Sequence, residues 1–241
     1  MRLRGRAAVV TGGSRGIGRA IVERLARDGA EVVFNYASST AAAAEIAATV
    51  EGAHGIQLDL AEPGAAERLM ELAEERLGGL DILVNNAAMS FQVASIADTD
   101  EAVFDDVMRG NAKTTFLTTR YAARRMRDGG RIVNISTVNT VRPAPGNAPY
   151  AASKGAIEQL TAVAAMELGS RGITVNTVSP GATDTDLLRS TNPAEALERV
   201  ASVTPLGRLG EPADIADVVA FLVGPDGRWM TGQNLRATGG L

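Results

Sequence analysis

The chain contains no cysteine and a single histidine, His54. Disulfides, thiolate catalysis and cysteine-ligated metals are therefore excluded, and one chain cannot build a histidine-rich metal site. A Ser-His-Asp triad would have to use His54. That residue sits at the start of a strand-like run and reads as a partly exposed structural histidine, so no metal site is expected. Long apolar runs are also missing. The basic start carries only Ala7–Val10 as an apolar stretch, shorter than the ~7–15 residues of a secretory signal, and nothing approaches the ~18 of a membrane span. Positive charge is not in excess: the net charge is −4 and the pI about 5.2. Nucleic acid and membrane are thus not expected partners. A thiol-free chain suits a reducing compartment, and a cytoplasmic location is expected.

What is present is the balance of a globular protein: 241 residues, 45% hydrophobic and 22% charged. Strand-like runs at Ala7–Thr11, Glu31–Tyr36, His54–Leu58, Asp81–Asn85, Arg131–Ser136, Ile173–Val178 and Asn234–Ala237 alternate with helical stretches. These are Gly16–Asp28, Thr40–Val50, Pro63–Leu77, Asp100–Arg109, Asn111–Arg127, Tyr150–Gly169 and Pro212–Val223. Thr140–Pro149, with three prolines and a glycine, reads as a loop, and Pro180–Asn192 as a polar mobile segment. Alternation of this kind predicts an α/β fold: one doubly wound Rossmann-type domain over residues 1–241, with a mostly parallel seven-stranded sheet and helices on both faces. No linker or repeat divides it.

Between the first strand and the first helix lies Thr11-Gly-Gly-Ser-Arg-Gly-Ile-Gly18. A glycine motif alone is weak. Placed between strand and helix it forms a phosphate-binding device: Gly12 turns the chain, Gly16 lets the backbone approach a pyrophosphate, and Gly18 lets helix and strand pack closely. Ser14, Arg15 and Ile17 complete the loop, and the helix N-terminus offers free N–H groups to phosphate. NAD binders carry an acidic residue at the end of the second strand. Here Asn35, Tyr36, Ala37 and Ser38 stand there, with Ser39 next, and Arg15 supplies a guanidinium able to grip a 2′-phosphate. NADPH/NADP+ is expected, and NADH is disfavoured. Asp59 and Leu60, ending the third strand, and Asn86, Ala87 and Ala88, ending the fourth, fall at C-terminal strand ends, where open α/β sheets bind ligands.

Tyr150 and Lys154 are four apart, on one face of a helix. An ammonium about 4 Å from the phenol, at an effective dielectric near 20, is worth roughly 4 kcal/mol and lowers its pKa by up to about three units. Such a phenol can exchange a proton with a carbonyl oxygen as hydride arrives. The pair alone is a weak signal and gains weight from the upstream glycine loop.

The segments TGGSRGIG at 11–18, NNAA at 85–88, Asn111, NIST at 134–137, YAASK at 150–154 and PG at 180–181 resemble the short-chain dehydrogenase/reductase family over nearly the whole chain. The nearest subgroup looks like the 3-oxoacyl-[acyl-carrier-protein] reductases and related ketoreductases. The resemblance implies a catalytic set of Asn111, Thr137, Tyr150 and Lys154. Tyr150 would be the general acid/base. Lys154 would bind the nicotinamide ribose and lower the phenol pKa, and Asn111 would hold a relay water. Pro180, Gly181, Thr183 and Thr185 would contact the nicotinamide end. Two positions depart from the family. Thr137 stands where a serine is usual, with Ser136 beside it and expected to point elsewhere. Ala88 replaces a glycine and would crowd the cofactor slightly.

The substrate implied is a small-molecule carbonyl or alcohol, free or bound to a carrier protein. A sugar- or steroid-type alcohol dehydrogenase and a non-catalytic dinucleotide sensor are the rival readings. Specificity is expected in Val138–Pro149 and Ala182–Val203. Arg120, Arg124, Arg125, Arg127 and Arg171 form either a basic patch for an acidic carrier or a solvated helix face. By resemblance, the helices holding Asn111 and Tyr150 would build a homotetramer or homodimer interface. Trp229 covers a pocket or interface, or packs in the core.

Overall fold

The computed structural model describes residues 2–89 and 92–241. Seven strands form one sheet: β1 (Ala7–Val10), β2 (Glu31–Tyr36), β3 (Ala53–Gln57), β4 (Ile82–Asn85), β5 (Arg131–Ile135), β6 (Thr174–Pro180) and β7 (Asn234–Ala237). Their order is β3-β2-β1-β4-β5-β6-β7, and every pairing is parallel. The order reverses direction between β1 and β4. Connections leave their ends to opposite sides there, opening a crevice at the carboxyl edge of the sheet.

Nine α-helices are found among the described residues: α1 (Gly16–Arg27), α2 (Thr40–Thr49), α3 (Ala65–Leu77), α4 (Glu101–Met108), α5 (Thr114–Arg125), α6 (Ala148–Leu168), α7 (Asp186–Thr191), α8 (Ala194–Val203) and α9 (Pro212–Val223). The strands are short and rich in Val and Ile because both their faces are covered. Val10, Val32, Phe34, Val84, Val133 and Val178 pack under α1, α2 and α9 through residues such as Ile21, Leu25, Ile46, Val219 and Leu222. Val9, Val33, Leu83, Ile132 and Val175 pack under α3, α5 and α6 through Leu69, Met70, Ala122, Ala165 and Leu168.

Most predicted elements recur with ends moved by one or two residues. Three differences bear on the site. Asn111 does not open a helix: it lies in a wide, π-type turn at Arg109–Lys113 that joins α4 to α5. The segment read as a polar mobile stretch from Pro180 holds α7, and α8 follows it unforeseen. Trp229 is not core, since it is 96% exposed.

Candidate active site

The end of β1 runs into the glycine loop and then α1. Gly12 and Gly16 have left-handed backbones, φ +66° and +54°. A Cβ on Gly18 would lie 2.0 Å from the Gly12 carbonyl oxygen, so only glycine lets helix and loop close up here. Arg15 occupies the N-cap of α1 in an extended conformation and offers no side-chain cap. The first N–H groups of α1 therefore keep their donor capacity. Ser14 is buried and Ile17 half-buried beside them.

The loop is held from two sides. The side chain of Asn35 accepts from the Gly12 N–H at 2.9 Å and donates to the Leu58 carbonyl at 2.9 Å. Asn86 donates to the carbonyls of Thr11 and Gly12, at 3.0 Å each. The Thr11 hydroxyl accepts from the N–H groups of Asn86 and Ala87, both at 2.9 Å. Asn35 and Asn86, read as ligand contacts, thus spend their side chains shaping the loop. Thr11 does so too, though only its place in the motif drew attention to it. Tyr36 leans on Phe34, with ring centroids 6.5 Å apart, and Ala37 and Ser38 are exposed at the strand end. Asp59 is exposed and accepts the Ala61 N–H at 2.9 Å; Leu60 is half-buried, and Ala88 is exposed.

These residues fit a phosphorylated dinucleotide. The cradle is one that a side chain would fill, the helix end presents donors, and no carboxylate stands at residues 35–38. Arg15 is exposed at the loop tip with no ion pair among the described residues.

The side chains read as catalytic come from the ends of β5 and α6. α6 starts at Ala148, not at Tyr150, with Pro149 in its first turn, where a missing N–H costs nothing. Tyr150 and Lys154 follow on one face, with the Lys154 Nζ 5.6 Å from the Tyr150 ring centroid. Lys154 is wholly buried, and burial brings its pKa down to about 8. Its Nζ donates to the Ile135 carbonyl at 2.8 Å. That leaves two of its three donors for ligand oxygens. Tyr150 departs from expectation: burial raises its pKa, and a hydrogen bond from the Thr137 side chain opposes the rise. The expectation placed an ammonium about 4 Å from the phenol at an effective dielectric near 20; in the buried site desolvation is the larger influence.

Thr137 is buried and adjoins Tyr150. Ser136, expected to point elsewhere, also meets α6, further along the helix than Tyr150: its hydroxyl donates to Glu158 at 2.7 Å. Asn111 is fully buried. Its Oδ1 accepts the Met89 N–H at 2.8 Å, and its Nδ2 donates to Ser153 Oγ at 3.0 Å. The Ser153 hydroxyl in turn donates to the Tyr150 carbonyl at 2.8 Å. The Asn111 side chain thus ties the wide turn to the first turn of α6. Nothing in the sequence singled out Ser153 or Glu158 beyond their helical spacing from Tyr150.

The far side of the crevice is less regular. Pro180 ends β6, and Gly181 lies against Thr238, where a Cβ would come within 3.0 Å of its Cα. Thr183 is buried and bridges to Gly210. Thr185 caps α7, and its methyl would lie 3.2 Å from a Cβ on Gly16, which brings the α7 segment against the phosphate loop. Met89, Val93, Val141 and Leu187 expose apolar surface on the flanking segments. Four of the five arginines of the possible basic patch stand in ion pairs, Arg120 with Glu67, Arg125 with Glu74, Arg127 with Asp81 and Arg171 with Asp128, while Arg124 is exposed with no ion pair among the described residues. His54 is likewise structural, set between Glu31 and Arg76.

Comparison with known proteins agrees with this geometry. A family model described as enoyl-(acyl carrier protein) reductase matches residues 12–241. A short-chain dehydrogenase from Burkholderia cenocepacia, solved in complex with NADP, is 42% identical, with all of this chain and 99% of that one covered and a TM-score of 0.92. The angucycline C-6 ketoreductase LanV, solved with bound NADP, is 42% identical over 99% of this chain and 96% of its own, with a TM-score of 0.92. The 3-oxoacyl-[acyl-carrier-protein] reductase of Vibrio cholerae is 37% identical over 100% of this chain and 99% of its own length.

Proposed function

The chain belongs to the short-chain dehydrogenase/reductase family of oxidoreductases, and from that membership we propose that residues 1–241 act as one NADP(H)-dependent ketoreductase domain on a 3-oxoacyl or polyketide-type carbonyl. The observation that carries the proposal is the meeting of Tyr150, Thr137 and Lys154 at the carboxyl edge of the sheet, beside a glycine loop built for phosphate.

The dinucleotide, when bound, supplies the hydride. Gly12, Gly16 and the N–H groups opening α1 hold its pyrophosphate, and Arg15 with Ser38 holds the 2′-phosphate. Lys154 has donors for its ribose hydroxyls. Tyr150 keeps its proton at neutral pH, because burial holds its pKa up. It is therefore set as an acid toward a substrate oxygen, the direction that reduction requires. Thr137 offers a second hydroxyl to the same oxygen. Its oxygen accepts the Asn139 N–H at 3.3 Å, which leaves its own proton to be donated. The exposed apolar side chains around the crevice suit a ketone with an apolar body. An acyl-carrier partner would have to dock elsewhere than on the paired arginines.

The test is NADPH oxidation, followed by absorbance, against 3-oxoacyl thioesters, aromatic polyketide ketones, sugars and steroids, and repeated with NADH. Turnover of the first two classes with NADPH, and its loss in Tyr150→Phe, are expected. Tight NADPH binding with no turnover of any carbonyl would make the protein a sensor. We further propose that the protein is cytoplasmic and self-associates through α5 and α6. Light scattering showing only 25.0 kDa particles would refute the latter. No helix among the described residues is long and apolar enough to cross a membrane.

A further inference from the structure

Tyr150, Lys154 and Glu158 recur at intervals of four on α6 and so lie on one face of it. Three successive turns of the helix engage three successive residues at the end of β5. Lys154 Nζ donates to the Ile135 carbonyl at 2.8 Å. Glu158 Oε1 accepts from the Ser136 hydroxyl at 2.7 Å. Tyr150 takes the hydrogen bond of Thr137. The Thr140 hydroxyl also lies 2.8 Å from Glu158 Oε1 and 3.0 Å from the Thr137 carbonyl, sharing one proton between them.

An ionised carboxylate only accepts. Ser136 aims its proton at it, Thr140 divides its proton between it and the Thr137 carbonyl, and these two residues stand on either side of Thr137. Thr137 is the N-cap of the short 3₁₀ turn Val138–Thr140. Its orientation depends on where that turn sits, because the Asn139 N–H holds its oxygen. We propose that Glu158 is a positioning residue: by gathering Ser136 and Thr140 it anchors the turn to α6 and holds the Thr137 hydroxyl on Tyr150 and the substrate oxygen. The inference rests on the ketoreductase reading for its catalytic consequence, but not for its structural one.

Two routes remove the same contacts. Glu158→Leu removes the acceptor, and Ser136→Ala with Thr140→Val removes its two close donors, leaving only the Ser179 hydroxyl at 3.5 Å. Each is expected to lower kcat about tenfold to a hundredfold, the penalty of a displaced catalytic group, with KM for the ketone and Kd for NADPH within about twofold. Combining them should cost little more, since interacting groups are non-additive. Glu158→Gln retains an acceptor oxygen and should keep kcat within about threefold. In crystals, Thr137 Oγ1 should turn away from Tyr150 in Glu158→Leu and stay in place in Glu158→Gln. If Glu158→Leu fails to fold, the double variant and Glu158→Gln decide alone. The proposal is overturned if the double variant or Glu158→Leu keeps full kcat, if Thr137 does not move, or if the loss follows NADPH affinity instead. A fully active Tyr150→Phe would remove the catalytic reading, while a displaced Thr137 in the Glu158→Leu crystal would still uphold the anchor.

Discussion

The two faces of the sheet are cut from the same strands, yet they are built differently. On the face under α1, α2 and α9 the strands present Val10, Phe34, Val84, Val133, Ile135 and Val178, an apolar layer out to the strand ends. On the face under α5 and α6 the character changes within two residues. The paired row Leu83, Ile132 and Val175 is apolar. The next row toward the carboxyl edge is Asn85, Asn134 and Thr177, buried and polar. Asn85 donates to Asn134 at 2.8 Å, Asn134 to Thr161 at 2.8 Å, and the Thr177 and Thr161 hydroxyls lie 2.8 Å apart. One step further come Ser136 and Glu158, then Thr137 and Tyr150. A buried polar group without a partner costs about 1–3 kcal/mol, so such a ladder survives only when every rung is satisfied. One face is scaffold; the other grades from scaffold into chemistry.

This comparison can be broken by substitution. Tyr150→Phe removes the proton donor without disturbing the core, and kcat should fall about a thousandfold or more with little change in Tm; retained turnover would dissolve the distinction. Phe34→Ala on the opposite face should do the reverse, costing about 3–5 kcal/mol of stability in urea titration, while any protein that remains folded keeps its kcat.

Lys154→Met sharpens the contrast, because its two effects have opposite signs. The folded lysine titrates at about 8 against an ordinary 10.5, so the folded state binds its proton less well than the unfolded state. The cost of burying the cation is fully present below pH 8 and disappears as pH rises toward 10.5. Without cofactor, Lys154→Met should therefore be more stable at pH 7 by about 2 kcal/mol, allowing for the lost hydrogen bond to Ile135. The gain should shrink between pH 8 and 10.5, and NADPH oxidation should be lost. Lower stability at pH 7 in thermal unfolding would count against an uncompensated buried cation. The smallest effect is at the crevice mouth. Arg15→Gln should weaken NADPH about tenfold, the loss of one charge-assisted contact, and leave NADH nearly unchanged by titration.

Much of this was legible beforehand. Apolar runs alternating with helical periods gave seven strands and a parallel sheet, because each strand is buried on both faces. The glycine loop and the Tyr150–Lys154 spacing are local devices, complete within a few residues, and they could be read without the rest of the chain. The Pro180–Asn192 segment, read as polar and mobile, in fact holds α7, and α8 beyond it was not foreseen. α7 is too short for a helical period to show and buries none of its residues, whereas α8 is amphipathic, with Leu197 its one buried residue, and the loop-like composition around it masked that period.

The sequence by itself determined the layered fold, the glycine loop between β1 and α1 and the Tyr150–Lys154 spacing on one helix, since these rest on periodicity and on contacts between near neighbours. Only the tertiary structure decided what the asparagines do, where Ser136 and Thr137 point, and that burial raises the pKa of Tyr150 and lowers that of Lys154. Those outcomes depend on hydrogen-bond partners and solvent exclusion supplied by segments tens of residues away. Long-range pairing of that kind leaves no periodic trace along the chain.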